Sequence, residues 1–134
     1  MLSKEVYVMK VIVVEPMKPP AVREMEDTLP EMQAVVGGPI QAVYPFDEAI
    51  ALICHEEGKL LGLPLNRALY DAETGTVYDV IAGTFFLCGA PPEEEHFGSL
   101  TEPQIAWLSR RFARPERFWK IGRQLLVLPT EGGQ

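Results

Sequence analysis

Four polar residues near the middle of the chain, Asn66, Arg67, Tyr70 and Asp79, have types and spacing that could share chemistry. An asparagine and an arginine set between leucines, close to an apolar run interrupted by Gly83, could line a pocket. Such a pocket would read a phosphate, a carboxylate or a base edge, because the amide and the guanidinium fork both offer paired hydrogen-bonding groups. The competing structural reading is favoured: Asn66 caps a short helix, and Arg67 pairs with Asp71 or Asp79 to pin a loop.

Cys54-His55-Glu56-Glu57 puts metal-ligand types side by side. Neighbours on a strand point to opposite faces, so Cys54 and His55 cannot easily chelate one ion together. Cys88 and His96 add further N and S groups, but no C-x-x-C or H-x-x-x-H spacing links them. The expectation is no metal and no cofactor. Glu93-Glu94-Glu95-His96 reads as a solubilising loop tip, with an acidic interaction loop as the sharper alternative. Ser99 follows His96 closely, yet Thr101 marks that stretch as a helix entry. The chain has no nucleophile elbow, P-loop or dinucleotide fingerprint. Val36-Gly37-Gly38-Pro39 lacks the phosphate-loop spacing and reads as a helix stop. No catalytic residue is assigned, and the balance leans away from an enzyme.

Several elements must position these residues. Residues 6–14 are almost continuously apolar and β-branched, as in a strand buried on both faces. Pro16, Pro19 and Pro20 end that strand, and residues 21–25 are a weaker candidate that could return beside it. Thr28 is a helix N-cap with Glu31 in capping-box position and Pro30 in the first turn. Leu29, Met32, Val35 and Val36 form its stripe, and Gly37 its left-handed C-terminal cap. Strand, proline turn, strand, helix, strand is the opening order of β-grasp folds. Residues 40–44 and 49–54 read as strands, and residues 60–69 are ambiguous because Pro64 opposes a long helix. Residues 71–76 form a hairpin loop before one apolar strand, 77–87, in which Gly83 marks a bulge or a close approach. Thr101 opens the best-signalled helix, with Gln104 completing a capping box and Ile105, Leu108 and Phe112 on one face. Pro115 breaks or restarts it, and Phe118, Ile121 and Leu125 continue at helical spacing. These elements predict an α+β fold: a mixed, mainly antiparallel sheet packed by two helices, β-grasp-like in its N-terminal half. Residues 1–128 make one globular domain, and residues 129–134 a flexible tail.

The 134-residue length supports a core without disulfides or metal. Cys54 and Cys88 lie in apolar runs and read as buried free thiols. No secretory h-region and no run of transmembrane length is present, which predicts a cytoplasmic protein in a reducing compartment. The net charge of −7 is uneven. Residues 1–105 carry 17 acids against 6 bases, and residues 106–134 carry 2 acids against 6 bases (Arg110, Arg111, Arg114, Arg117, Lys120 and Arg123). An acidic body disfavours general nucleic-acid binding, leaving residues 110–123 as the one segment that could engage it.

At Met9–Pro16 (MKVIVVEP), 36–46 (VGGPIQAVYPF), 51–69 (ALICHEEGKLLGLPLNRAL), 79–89 (DVIAGTFFLCG) and 97–105 (FGSLTEPQI), the chain resembles the family known as domain of unknown function 3846. Several motifs in order, over roughly residues 9–118, carry the resemblance. It implies a setting in phages, plasmids and bacterial genomes near mobile elements, and no chemistry. It also implies that residues 1–8 are an extension, or that Met9 is the native start. The expected function is a small binding or accessory protein of such an element. It would act through protein–protein contact by its acidic surface, with mimicry of nucleic-acid charge as a specific version. The alternative is a small-ligand-binding protein or enzyme with a pocket around Asn66, Arg67, Tyr70 and Asp79.

Overall fold

The computed structural model describes residues 6–130. In chain order its elements are β1 (Val8–Val14), β2 (Ala21–Glu26), α1 (Leu29–Val36), β3 (Ile40–Val43), β4 (Ile50–His55), β5 (Leu65–Tyr70), β6 (Val77–Ala82), β7 (Phe85–Gly89), α2 (Glu102–Arg111), β8 (Glu116–Ile121) and β9 (Gln124–Pro129). Five strands form one sheet in the order β2-β1-β7-β4-β3, while β5–β6 and β8–β9 form separate hairpins.

The continuous apolar runs of β1, β4 and β7 follow from their central positions. Side chains alternate across a sheet, so a strand covered on both faces needs apolar residues of both parities. Met9, Val11 and Val13 join Ala51, Ile53, Phe86 and Cys88 on one face, under Met32 and Val36 of α1. Ile12 and Val14 join Ile50, Leu52, Cys54, Phe85 and Leu87 on the other face. There Leu108 and Phe112 at the α2 end, and Leu69 and Ile81 of the β5–β6 hairpin, close the core. β2 is an edge strand with only Met25 buried, which is why its sequence pattern is weak. All strand pairings among the described residues are antiparallel, so the expected α+β class holds without the mixed component. The strand after α1 pairs only with β4 at the far edge, so the β-grasp-like order does not become a β-grasp sheet.

Both predicted helix entries are present. The Thr28 side chain accepts from the Glu31 N–H at 3.4 Å. Thr101 and Gln104 make the full reciprocal box, at 3.2 Å and 2.9 Å. Gly37 ends α1 at φ +88 and donates its N–H to the Gln33 carbonyl.

Two expectations about the second half are corrected. The apolar stretch 77–87 is not one strand with a bulge. Gly83, at φ +83, is a corner where the chain leaves the β5–β6 hairpin and enters the main sheet as β7. Its N–H is held by the Pro64 carbonyl at 2.7 Å. Beyond Pro115 there is no restarted helix; β8 and β9 form a hairpin joined by the two-residue turn Gly122-Arg123. The apolar residues there are dense enough to fit either period, and the glycine turn decides for the hairpin. Of the expected tail, Pro129 closes β9, and Thr130 donates from both its N–H and Oγ1 to the Pro115 carbonyl at 2.8 Å. Residues 131–134, and residues 1–5 of the expected extension, lie outside the described residues.

Candidate functional site

The four polar residues singled out by sequence do not share a pocket. Leu65 pairs with Ala82 and Arg67 with Ile81, which leaves Asn66 as an extra residue in β5. That bulge re-aims the chain so that both Asn66 and Arg67 turn inward; they are 0% and 1% exposed. Asn66 Nδ2 donates to the Val14 and Gly83 carbonyls, both at 2.9 Å, tying the end of β1 to the corner before β7. Arg67 donates from Nη1 to the Asn66 Oδ1 (2.9 Å) and from Nη2 to the Lys18 and Phe112 carbonyls (2.7 and 3.0 Å). Burial lowers the Arg67 pKa, and the nearby Glu116 carboxylate opposes that shift. Glu116 also accepts the Ala68 N–H at 2.8 Å, fastening β8 to β5. Asn66 therefore caps no helix, and Arg67 holds three carbonyl-bearing segments rather than Asp71 or Asp79.

Tyr70 lies at the far end of β5, in a cleft of about 520 Å³ between the 45–48 loop, the 70–72 turn and α2. Phe46 meets Trp107 edge-on at 4.9 Å, and the Arg111 guanidinium stacks 5.2 Å over the Tyr70 ring. Asp47, Glu48 and Asp71 stand around this floor. Hydrogen bonds from the Thr74 and Glu73 N–H groups lower the Asp71 pKa, so it carries its charge through the neutral range. Burial, with Glu116 adding to it, raises that of the Tyr70 phenol. Phe46 and Trp107 were not singled out by sequence as site residues, and Arg111 was named only as part of the basic segment 110–123. Their signals were present in the Tyr44-Pro45-Phe46 motif and in the i, i+4 spacing of Trp107 and Arg111 on one helical face.

Asp79 lines a different cavity, of about 250 Å³, with Cys54, His55, Glu56 and Lys59. It is ion-paired with Lys59 and also accepts the Val80 N–H. Cys54 belongs to the core face under α2, whereas the His55 ring lies against Gly38 and its Nδ1 accepts the Glu57 N–H at 3.0 Å. No group of three or more metal-ligating side chains is assembled among the described residues. His96 stacks on Tyr7 at 4.4 Å and faces Glu94 and Asp27. The Ser99 hydroxyl accepts the Lys10 N–H, which ties the approach to α2 to β1.

No helix among the described residues is long and apolar enough to cross a membrane. Residues 9–113 match the family described as "Domain of unknown function (DUF3846)". The matched stretch runs from β1 through α2 and contains every residue of the aromatic cleft, while the β8–β9 hairpin lies beyond it. Neither the curated proteins nor the solved structures supply a match. The chain thus belongs to the family of domain of unknown function 3846.

Proposed function

We propose that this chain is a non-enzymatic accessory protein of a bacterial mobile element or phage, working in the cytoplasm by binding a protein partner. A basic segment of that partner docks in the Phe46–Trp107 cleft. The observation that carries the reading is an aromatic floor beside three carboxylates, Asp47, Glu48 and Asp71, that make no ion pair among the described residues. Aromatic faces attract cations, and carboxylates take a guanidinium in bidentate fashion. Arg111 over Tyr70 is the chain's own instance of the first contact. The negative balance of residues 1–105 would steer a basic partner inward. Mimicry of nucleic-acid charge is the weaker version. It needs a row of free carboxylates, yet Glu15, Asp79 and Glu102 are engaged by lysine or arginine, and Glu116 is interior.

The test titrates a short oligoarginine peptide into a Trp119→Phe variant, leaving Trp107 as the sole tryptophan. A saturable, salt-sensitive fluorescence change, weakened roughly tenfold in Asp47→Asn/Glu48→Gln, is expected. No change, or an equal change in the variant, overturns the cleft assignment. Affinity capture from the native host, with the neighbouring genes, tests the partner and the setting.

A second reading, a small-ligand or enzymatic pocket, draws on the Asp79 cavity, where Lys59 supplies a cation for a small anion. A thermal shift with inorganic phosphate that Lys59→Met abolishes would favour it. Unchanged melting across phosphate concentrations would count against it.

A further inference from the structure

We propose that two copies of this chain pair through the outer face of the β8–β9 hairpin. The register places Arg117 opposite Leu128, Trp119 opposite Leu126 and Ile121 opposite Gln124, so these six residues share one face. Trp119, Ile121, Leu126 and Leu128 are 61%, 56%, 42% and 46% exposed. The opposite face, carrying Glu116 and the partly buried Phe118 and Val127, is the one turned inward, with Glu116 fastened to β5. A two-stranded hairpin is marginal in water by itself, and this one leaves Trp119, Ile121, Leu126 and Leu128 uncovered.

A second copy is the occupant that the arrangement fits. A twofold axis running along the strands, between two such faces, sets Trp119 of each copy over Leu126 of the other. It also sets Arg117 over Leu128. The face is therefore self-complementary, and no like charges meet. Lys120 projects from the other face and Arg123 sits in the turn, so the basic character of this segment stays at the rim. With Trp119 alone leaving on the order of 150 Å² exposed, the apolar patch is on the order of 400 Å² per copy, within the range of the largest patch on a typical monomer, which is often functional. Two such patches with their polar rims approach the lower bound of about 1,200 Å² for a specific interface. No residue of the hairpin lines the cleft, so the two surfaces do not share a side chain.

Sedimentation equilibrium of the full chain from micromolar toward millimolar concentration tests the proposal. The expected mass rises to twice 15.0 kDa. Trp119→Arg weakens dimerisation at least roughly tenfold, as for a central aromatic anchor, and Lys120→Ala leaves it unchanged. In a Trp107→Phe background, the emission of Trp119 shifts to the blue as the dimer forms. Leu128→Lys, checked for native circular dichroism, serves if Trp119→Arg does not fold. A monomeric mass throughout the range, or a dimer unaffected by either folded variant, overturns the proposal. Binding of nucleic acid, a membrane or another protein by this face in a monomeric chain does so equally.

Discussion

Arg67 donates a hydrogen bond at 2.9 Å to the side chain of Asn66, its own neighbour in the chain. Adjacent residues on a regular strand diverge, so this contact exists only because the bulge at Asn66 turns both inward. Together the two side chains bind the carbonyls of Val14, Lys18, Gly83 and Phe112. They join the end of β1, the proline turn, the corner before β7 and the end of α2.

Arg67→Met should destabilise the protein by about 3–5 kcal/mol, because it leaves buried carbonyls and Glu116 without their cation. Arg67→Lys should recover little of this, since an ammonium cannot reproduce the fork. Urea unfolding monitored by circular dichroism measures both. A loss below about 1 kcal/mol would show that the pair is not the tie described.

Gly83→Ala should cost about 1–2 kcal/mol, the penalty for an L side chain at positive φ. A Cβ there would stand 2.8 Å from the Leu63 Cδ1. That methyl is the free end of a flexible side chain and can move. A double variant with Leu63→Ala should therefore recover little of the Gly83 effect, which isolates the backbone term. Full recovery would put the cost in the side-chain contact instead.

Stability should fall with rising pH in two steps set by the Tyr7–Asp27–His96 cluster. Burial raises the Asp27 pKa, against the lowering effect of His96. The Phe97 carbonyl, with Glu94 and Asp27, raises that of His96. A group whose folded pKa is raised binds its proton more tightly in the native state. Its stabilisation is complete below the unfolded pKa and is lost as pH rises through the folded one. The Asp27 contribution is lost as pH rises beyond the usual carboxylate range, and the His96 contribution as pH rises beyond the usual imidazole range. Melting temperature against pH should lose its upper step in His96→Gln. An unchanged profile would place the upper titration elsewhere.

Both thiols should resist alkylation in the folded state. Burial pushes the Cys88 pKa up to about 12, and burial with Asp79 raises that of Cys54. At pH 8 the Cys88 thiolate fraction is then about 10⁻⁴. The two sit on opposite faces of the main sheet and cannot bridge within one copy. Iodoacetamide labelling followed by mass spectrometry should show Cys88 reacting only on unfolding. Rapid native labelling of Cys88 would contradict the burial described.

Elements whose signals are local could be read from the residues alone. β1 and β4 were legible because strands covered on both faces carry apolar residues of both parities; β7 was legible as apolar strand, but not as an element separate from β6. The helix entries were legible because a capping residue and its partner lie three positions apart. Asn66 and Arg67 stood out as polar residues among leucines, but their roles depend on carbonyls far away in the chain, at Lys18, Gly83 and Phe112. Tertiary structure alone decided that they face inward and that Tyr70 and Asp79 part into two cavities. It also brought Phe46 against Trp107, residues 61 positions apart, to make the cleft. The C-terminal hairpin was hidden for a different reason. Its apolar residues satisfy helical and strand periods alike, and the turn at Gly122-Arg123 with the pairing it permits selects the strands. Side-chain alternation and capping act within a few residues, whereas a bulge, a cleft and a strand pairing are decided by partners that local pattern does not specify.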